Sequence, residues 1–269
     1  MGSRTGRSLA VAWTLALVVL LYLPIASVVL ASLANTRYMR FPHREWTLAA
    51  YGEALGLYST LDLHRTSLVI AACVAILAVL VAVPAALAYA RFDWRGRSAY
   101  QRLILLPVFF PQPVLGLAML LAITSAGLTP TWRTAVAAHL VWVVPIVTLV
   151  VSIRLYGFDP AQEEAAFDLG ASRWQAFREV TLPAIAPGIA SGALFAFLLS
   201  WSNLPLSVFT TGADSTLPEW LYSRVATNYA PMVPAVSVLS VAASALVVLA
   251  VAGGRLLLRR MRRASRAPS

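Results

Sequence analysis

Long apolar runs separated by short polar gaps make up most of this chain. A hydrocarbon core of about 30 Å is crossed by roughly 20 apolar helical residues, and six runs reach that length. They cover residues 9–32, 66–90, 103–126, 135–153, 188–208 and 234–258. The first run is longer than the apolar part of a secretory signal peptide, so it predicts a retained helix. The pattern predicts an all-α integral membrane protein with six transmembrane helices.

One gap between the runs, residues 159–183, is polar and rich in carboxylates. Asp159 can cap the N-terminus of a helix whose first residue is Pro160, with Gln162 completing a capping box. Gly170 suits the end of that helix, because glycine readily adopts the left-handed conformation that a helix C-terminus often requires. This segment predicts a short helix followed by a sharp turn.

A second short helix is predicted in the same gap. Ser172 and Gln175 repeat the spacing of a capping box, which predicts a helix over residues 173–180. Residues 181–183, Thr-Leu-Pro, are expected to close it. We call residues 159–183, with their expected helix, glycine turn and helix, the elbow.

The elbow resembles the EAA loop in permease subunits of ATP-binding-cassette (ABC) importers. That family's pattern is EAA, three residues, glycine, nine residues, isoleucine, any residue, then Leu-Pro. The matching residues here are Glu164, Ala165, Ala166, Gly170, Leu182 and Pro183, with Val180 in place of the isoleucine. The resemblance implies a type I, MetI-like importer fold, in which five core helices follow a variable N-terminal part.

The same resemblance implies how the elbow works. Its first helix would sit in a cleft of a separate ATPase subunit, to whose basic groups Glu163, Glu164 and Asp168 would offer carboxylates. ATP and Mg would bind that ATPase dimer, and the Walker A motif needs a lysine, which this chain lacks. The chain is therefore expected to be a permease without a catalytic residue, cofactor or metal site of its own. The other implied partners are a second permease subunit, identical or different, and an external solute-binding protein.

The charged residues indicate the orientation. The chain is 59% hydrophobic and 12% charged, and all 21 of its basic residues are arginine. Arginines are concentrated before the first run, in residues 91–102 and in residues 255–266. By the positive-inside rule, both termini and the loop 91–102 are expected on the cytoplasmic side, and the parity of six spans puts the elbow on the same side. The family resemblance implies that the membrane is a bacterial inner membrane. The net charge of +10 then reflects topology and attraction to anionic lipid rather than nucleic-acid binding.

The spans also predict a three-part organisation. Residues 1–65 are expected to form an N-terminal transmembrane helix and an external loop. Residues 66–258 are expected to form the importer transmembrane domain, including the cytoplasmic elbow. Residues 259–269 are expected to form a basic cytoplasmic tail.

Polar residues at membrane depth predict a solute pathway. Residues 107–113 of the third run contain three prolines around Gln112, and such breaks free backbone carbonyls that protein or a wet cavity must satisfy. The fifth run ends with Trp201, Ser202 and Asn203. Because polar side chains are costly against lipid, these four residues are expected to line the pathway. Their alternative role is hydrogen bonding within the helix packing.

The end of the fifth run resembles the spermidine/putrescine branch of the importer family. The resemblance rests on residues 200–205, 209–212 and 217–222. That branch commonly has an acidic pair where Ser202 and Asn203 stand here, and an acid is what a polyamine would pair with. A polyamine is the first candidate solute, and ferric ion, thiamine or aminoethylphosphonate are alternatives.

Two functions of other classes also use membrane helices. An intramembrane serine protease would need Gly-x-Ser-Gly, which Gly188, Ser191 and Gly192 approximate with one residue too many. His139, which would have to serve as its base, fits equally a proton relay or a hydrogen-bonded packing residue. An ion-coupled secondary transporter would carry an ionisable residue at mid-membrane, and none of the 11 acids lies well inside a run.

Overall fold

The computed structural model describes residues 4–34, 46–227 and 229–264. Residues 35–45 of the expected external loop and residues 265–269 of the expected tail lie outside the described residues. The described residues form thirteen α-helices and one π-helical turn, and no β-strand. The helices are α1 (Arg4–Ser32), α2 (Ala49–Gly56), α3 (Tyr58–Ala90), α4 (Arg97–Leu103), α5 (Leu106–Phe109), α6 (Gln112–Ser125), α7 (Trp132–Tyr156), α8 (Ala161–Asp168), α9 (Arg173–Ala176), α10 (Leu182–Trp201), α11 (Ser207–Thr210), α12 (Leu217–Thr227) and α13 (Met232–Ala264), and the π-helical turn is Phe177–Thr181.

Five helical segments of the described chain are long and apolar enough to cross a membrane. They are Gly6–Ser32, Ser59–Ala90, Trp132–Tyr156, Arg173–Trp201 and Met232–Ala250. A sixth crossing exists if the helix pair Arg97–Phe109 and Gln112–Ser125 counts as one span. The expected all-α membrane fold is confirmed.

The third run is broken just before Gln112, as its prolines predict. The two members of the helix pair are bent by 101° at a short break. The ring of Pro111 disfavours helical geometry at the preceding residue, and Phe110 is accordingly extended, with ψ of 137°. The helix restarts at Gln112, where Pro113 occupies the first turn and its missing N–H removes no hydrogen bond.

The fifth run also differs from its expected bounds of 188–208. The expected stop at residues 181–183 is wrong, because the helical segment runs without interruption from Arg173 to Trp201. Pro183 has no N–H to donate to a preceding carbonyl. The π-helical turn accommodates this position: the Leu182 N–H donates to the carbonyl of Phe177, five residues earlier. The helix then ends at Trp201, seven residues before the expected end.

Residues 63–220 form one compact unit, whose centre is the packing of α7 against α10. Two glycines four residues apart on α10 permit the close approach. A Cβ atom on Gly192 would lie 2.8 Å from Cγ1 of Val147, and one on Gly188 would lie 2.6 Å from Cγ of Arg154. Gly188 and Gly192 therefore serve helix packing, as small residues commonly do in membrane proteins.

The C-terminal end of α3 is braced by the short helix α4 of the same unit. Side chains of α4 donate to carbonyls of the last two turns of α3, including last-turn carbonyls that lack partners within the helix. The Tyr100 hydroxyl donates to the carbonyl of Ala85 at 3.1 Å, and the Gln101 amide donates to that of Tyr89 at 2.7 Å. Arg97 also donates to the Tyr89 carbonyl, and its charge suits a helix C-terminus.

Residues 1–62 and 221–269 cluster as a second unit. Within it, α1 and α2 each pack against α13, and the hydroxyls of Ser32 and Tyr51 are 2.6 Å apart. Within this unit the first and last helices therefore pack together.

Candidate functional site

The first helix of the elbow, α8, begins at Ala161, one residue later than expected. The Asp159 carboxylate accepts a hydrogen bond from the Ala161 N–H at 3.0 Å, so it does supply a cap. The reciprocal bond from Gln162 is not found among the described residues, and the Gln162 side chain instead lines a cavity beside α7. Asp159 is therefore a simple cap, and neither bond of the expected capping box with Gln162 is found among the described residues.

The turn after α8 has the geometry that the glycine predicts. Gly170 has φ of +84°, in the left-handed region. Its N–H donates to the carbonyl of Phe167 at 2.9 Å, and the Ala171 N–H donates to that of Ala166 at 3.0 Å. This pair of bonds is a Schellman motif, and it satisfies carbonyls that the end of the helix would otherwise leave free.

The second capping box of the elbow is complete. The Gln175 N–H donates to the Ser172 hydroxyl at 3.3 Å, and the Ser172 N–H donates to the Gln175 side chain at 2.8 Å. Helix α9 therefore begins at Arg173, as the spacing predicts. The two ends of the glycine turn are each fixed by local hydrogen bonds.

Glu163 of α8 points towards the membrane helices rather than towards a partner. One carboxylate oxygen forms a salt bridge with Arg91, which directly follows α3, and the other accepts from the hydroxyl of Thr181 in the π-helical turn. The Arg91 guanidinium also lies 5.1 Å from the ring centroid of Phe158. Of the three carboxylates expected on the docking surface, Glu163 thus has both oxygens engaged within the chain.

The opposite side of α8 is exposed. Glu164, Ala165 and Asp168 lie on it, whereas Ala166 is half-buried. Leu169, which the sequence analysis did not single out, is 90% exposed. It occupies the capping position between α8 and Gly170, and an apolar side chain there projects from the turn. We call Glu164, Ala165, Asp168 and Leu169 the elbow face.

A cavity of about 400 Å³ lies on the inner side of the elbow. Its wall combines the salt-bridged pair with apolar side chains. The lining residues are Leu87, Arg91, Phe92, Glu163, Phe167, Arg173, Phe177 and Thr181. The side chains of the pair are 23% and 14% exposed, so water screens their attraction less than it screens a surface pair.

Leu182 and Pro183 lie where the elbow passes into the membrane helix. They begin α10, and Pro183 lies in its first turn. Neither closes a separate helix, so these two residues carry the elbow directly into α10.

The expected pathway residues of the fifth run lie at the end of α10. Trp201 stacks on Phe197, with ring centroids 5.8 Å apart, and its ring is 6.4 Å from that of His64. Ser202 is exposed, and its hydroxyl donates to the carbonyl of Leu198. The Trp201 ring therefore lies near the N-terminal part of α3.

Asn203 is 3% exposed. Its side-chain oxygen accepts from the N–H of Leu206 at 3.0 Å, which shapes the turn between α10 and α11. Its amide nitrogen has no partner in the part of the chain that the structure describes. Gln112 is half-buried at the start of α6, and no described contact joins it to Asn203.

A buried polar network that sequence reasoning did not assemble lies beside this turn. His139 of α7 is fully buried, with ring nitrogens 2.8 Å from the Ser200 hydroxyl and 3.2 Å from the Ser207 hydroxyl. The hydroxyl of Ser191 donates instead to its own helix, at Pro187. His139 therefore joins α7, α10 and α11 as a hydrogen-bonded packing residue, and this geometry offers no serine–histidine pair for a protease at Ser191.

The N-terminal end of α7 is fixed to α11 and to the loop that follows it. The Asp214 carboxylate accepts from the Trp132 N–H at 2.9 Å, and the Thr134 hydroxyl donates to the carbonyl of Thr210. Ser67 of α3 accepts from the Leu217 N–H at 2.8 Å. In this unit the N-terminal parts of α3 and α7 thus lie near the residues that follow α10.

The chain matches known transport proteins over most of its length. Residues 77–263 match the family described as binding-protein-dependent transport system inner membrane component. The chain is 32% identical to the putrescine transport system permease protein PotI of Escherichia coli K12 over 84% of this chain and 83% of that protein. It is 28% identical to the spermidine/putrescine transport system permease protein PotC of the same strain over 91% and 93%. A bacterial alginate ABC transporter in complex with its pentasaccharide-bound periplasmic protein shares the fold, with a TM-score of 0.69 at 15% identity over 91% of both chains.

Proposed function

The chain belongs to the family of binding-protein-dependent transport system inner membrane components, and on that premise we propose that its elbow couples solute movement to a separate ATPase. The chain is a multi-pass permease subunit of an ABC importer and not an enzyme. ATP and Mg bind the partner ATPase, and closure of the ATPase dimer displaces the elbow and switches the membrane helices between inward and outward access.

The observation that carries the proposal is the elbow face. Its carboxylates, Glu164 and Asp168, are exposed and suit basic groups of a partner. Leu169, 90% exposed beside them, adds an apolar side chain that a docked partner would cover. Gly170 and Ser172 fix the turn beside this face, so it is presented in one orientation.

The elbow and both termini lie in the cytoplasm in this proposal. The salt bridge between Arg91 and Glu163 supports the same side of the membrane for the elbow and for the arginine-rich loop 91–102. The bent helix pair supports the count of crossings. It begins beside the C-terminal end of α3 and leads to the N-terminal end of α7, which lies on the opposite side of the membrane from the elbow, so the pair acts as one span. An even number of spans then puts both termini with the elbow, in agreement with the arginine distribution.

The solute in this proposal is a polyamine-like cation. Similarity to PotI and PotC supports this class. Ser202 and Asn203 are neutral, so binding near them would depend on hydrogen bonds and on stacking against Trp201 rather than on direct charge pairing. An external binding protein would hold the cation first, and a second permease would form the other half of the pathway.

Capture of the ATPase tests the coupling role. The purified chain should retain its partner ATPase, and Glu164→Lys should reduce that capture at least about tenfold, as loss of a central charged contact does. Glu53→Lys is the matched control, because Glu53 is an exposed carboxylate of α2 outside the elbow. Equal capture by both variants would contradict the proposed role of the elbow face.

A further inference from the structure

Beyond docking, the displacement of the elbow must reach the helices that surround the solute. We propose that Arg91 is a positioning residue that transmits this displacement: it ties α8 to the end of α3, and α3 carries the movement to Trp201. This inference rests on the proposed function, since it assigns the path from the docked elbow to the solute pathway. The path depends on the carboxylate of Glu163, which joins α8 to Arg91 and to Thr181.

Arg91 holds the elbow at two points. Its guanidinium pairs with Glu163 inside α8 and lies over the ring of Phe158, which precedes α8. The side chains of Arg91 and Glu163 are only 23% and 14% exposed, and the cavity around them is mostly apolar. A pair in this setting resists separation more than a solvated one, because water competes less for both charges.

The end of α3 that precedes Arg91 is braced. The end of α3 that carries Arg91 is fixed by the side chains of α4, so α8 is attached to a braced element. An eight-residue helix such as α8 has little stability of its own and moves with whatever holds it. A push on the elbow face therefore acts on α3 as well as on α10.

The far part of α3 contacts the expected solute pathway. Ser67 lies about 36 Å along the helix from Arg91, at a rise of about 1.5 Å per residue. There the Ser67 hydroxyl accepts from the Leu217 N–H, and the neighbouring His64 ring lies 6.4 Å from Trp201. A rotation or shift of α3 would thus change the surroundings of Trp201 without any movement inside α10.

Glu163 connects the two routes. Through Thr181 it is bound to the π-helical turn that continues into α10, and through Arg91 it is bound to α3. Loss of Arg91 would leave the connection from Glu163 through Thr181 to α10 intact. It would remove the connection from Glu163 to α3. The expected defect is therefore weak coupling, in which the ATPase still docks and still hydrolyses ATP while less solute moves per ATP.

The test uses the complete transporter in proteoliposomes: this chain with its second permease, ATPase and binding protein, and putrescine as the probe. Arg91→Gln should keep ATPase capture within about twofold of wild type, because the elbow face is untouched. Putrescine moved per ATP hydrolysed should fall about tenfold, within the usual range of coupling between sites. Arg91→Lys, which keeps the charge, should retain more of the ratio than Arg91→Gln.

Exchange of the two charges separates coupling from folding. Arg91→Glu combined with Glu163→Arg should recover a large part of the ratio, since the Thr181 hydroxyl can accept from a guanidinium as well as donate to a carboxylate. Arg91→Glu alone and Glu163→Arg alone should each keep the low ratio of putrescine moved per ATP hydrolysed. If Arg91→Gln fails to accumulate, the exchanged pair and Arg91→Lys still decide the question.

The outcomes distinguish this inference from the proposed function. If the wild-type complex neither captures the ATPase nor moves putrescine, the proposed function fails. If the wild type is coupled and Arg91→Gln has the same ratio, the inference fails alone. A loss of capture in Arg91→Gln as large as in Glu164→Lys would also overturn it, because Arg91 would then support docking rather than transmission.

Discussion

The contact of α7 with α10 predicts a steep penalty for any side chain at Gly192. Replacement by valine puts a Cβ atom 2.8 Å from Cγ1 of Val147, closer than real carbon atoms approach. Val147 is fully buried and β-branched, so it cannot turn aside. The helices must instead move apart along the contact.

The expected magnitude follows from that geometry. Overpacking of this kind costs about 1–3 kcal/mol, offset by a few tenths of a kcal/mol because valine favours a helix more than glycine. At roughly 2–4 °C per kcal/mol for a chain of this size, the midpoint of thermal unfolding should fall by about 2–10 °C. Gly253→Val is the matched control, since Gly253 of α13 has nothing within 4 Å of a Cβ atom.

The assay is thermal unfolding of the purified chain in detergent, repeated with Val147→Ala. Truncation of Val147 removes the atom that clashes, so Gly192→Val with Val147→Ala should be less destabilised than the sum of the two single changes. Strict additivity, or a midpoint of Gly192→Val equal to that of Gly253→Val, would refute the close approach of these helices.

Three further changes test other parts of the account. Gly170→Pro should abolish putrescine uptake at normal abundance, because proline cannot adopt the φ of +84° found there; retained uptake would contradict a fixed turn. A cysteine at Gln175, in a Cys73→Ala background, should react with an impermeant reagent only in inverted vesicles, and labelling of intact cells would contradict the cytoplasmic elbow. Asn203→Asp should preserve or raise uptake of a cation and Asn203→Arg should depress it strongly, whereas no effect of either would assign Asn203 to packing.

Local signals predicted the elbow because local bonds build it. The Ser172 capping box and the left-handed Gly170 depend on residues within a few positions of each other, and both are present. The same holds for the break around Gln112, where prolines act on adjacent residues. Composition alone was enough for the membrane class.

Features that depend on distant residues were not predictable in the same way. The inward orientation of Glu163 requires Arg91, 72 positions earlier, and the sequence gives no measure of that distance. The network of His139 likewise joins residues 61 and 68 positions apart. The π-helical turn before Pro183 was misread as a helix end, since proline commonly marks one.

The most direct test of the central claim is ATP-driven uptake by the reconstituted transporter. Proteoliposomes that contain this chain, its second permease, its ATPase and its binding protein should accumulate radiolabelled putrescine when ATP is on the side of the elbow. Glu164→Lys should abolish accumulation, and Glu53→Lys should not. Accumulation that persists in Glu164→Lys, or that never depends on ATP, would contradict coupling through the elbow.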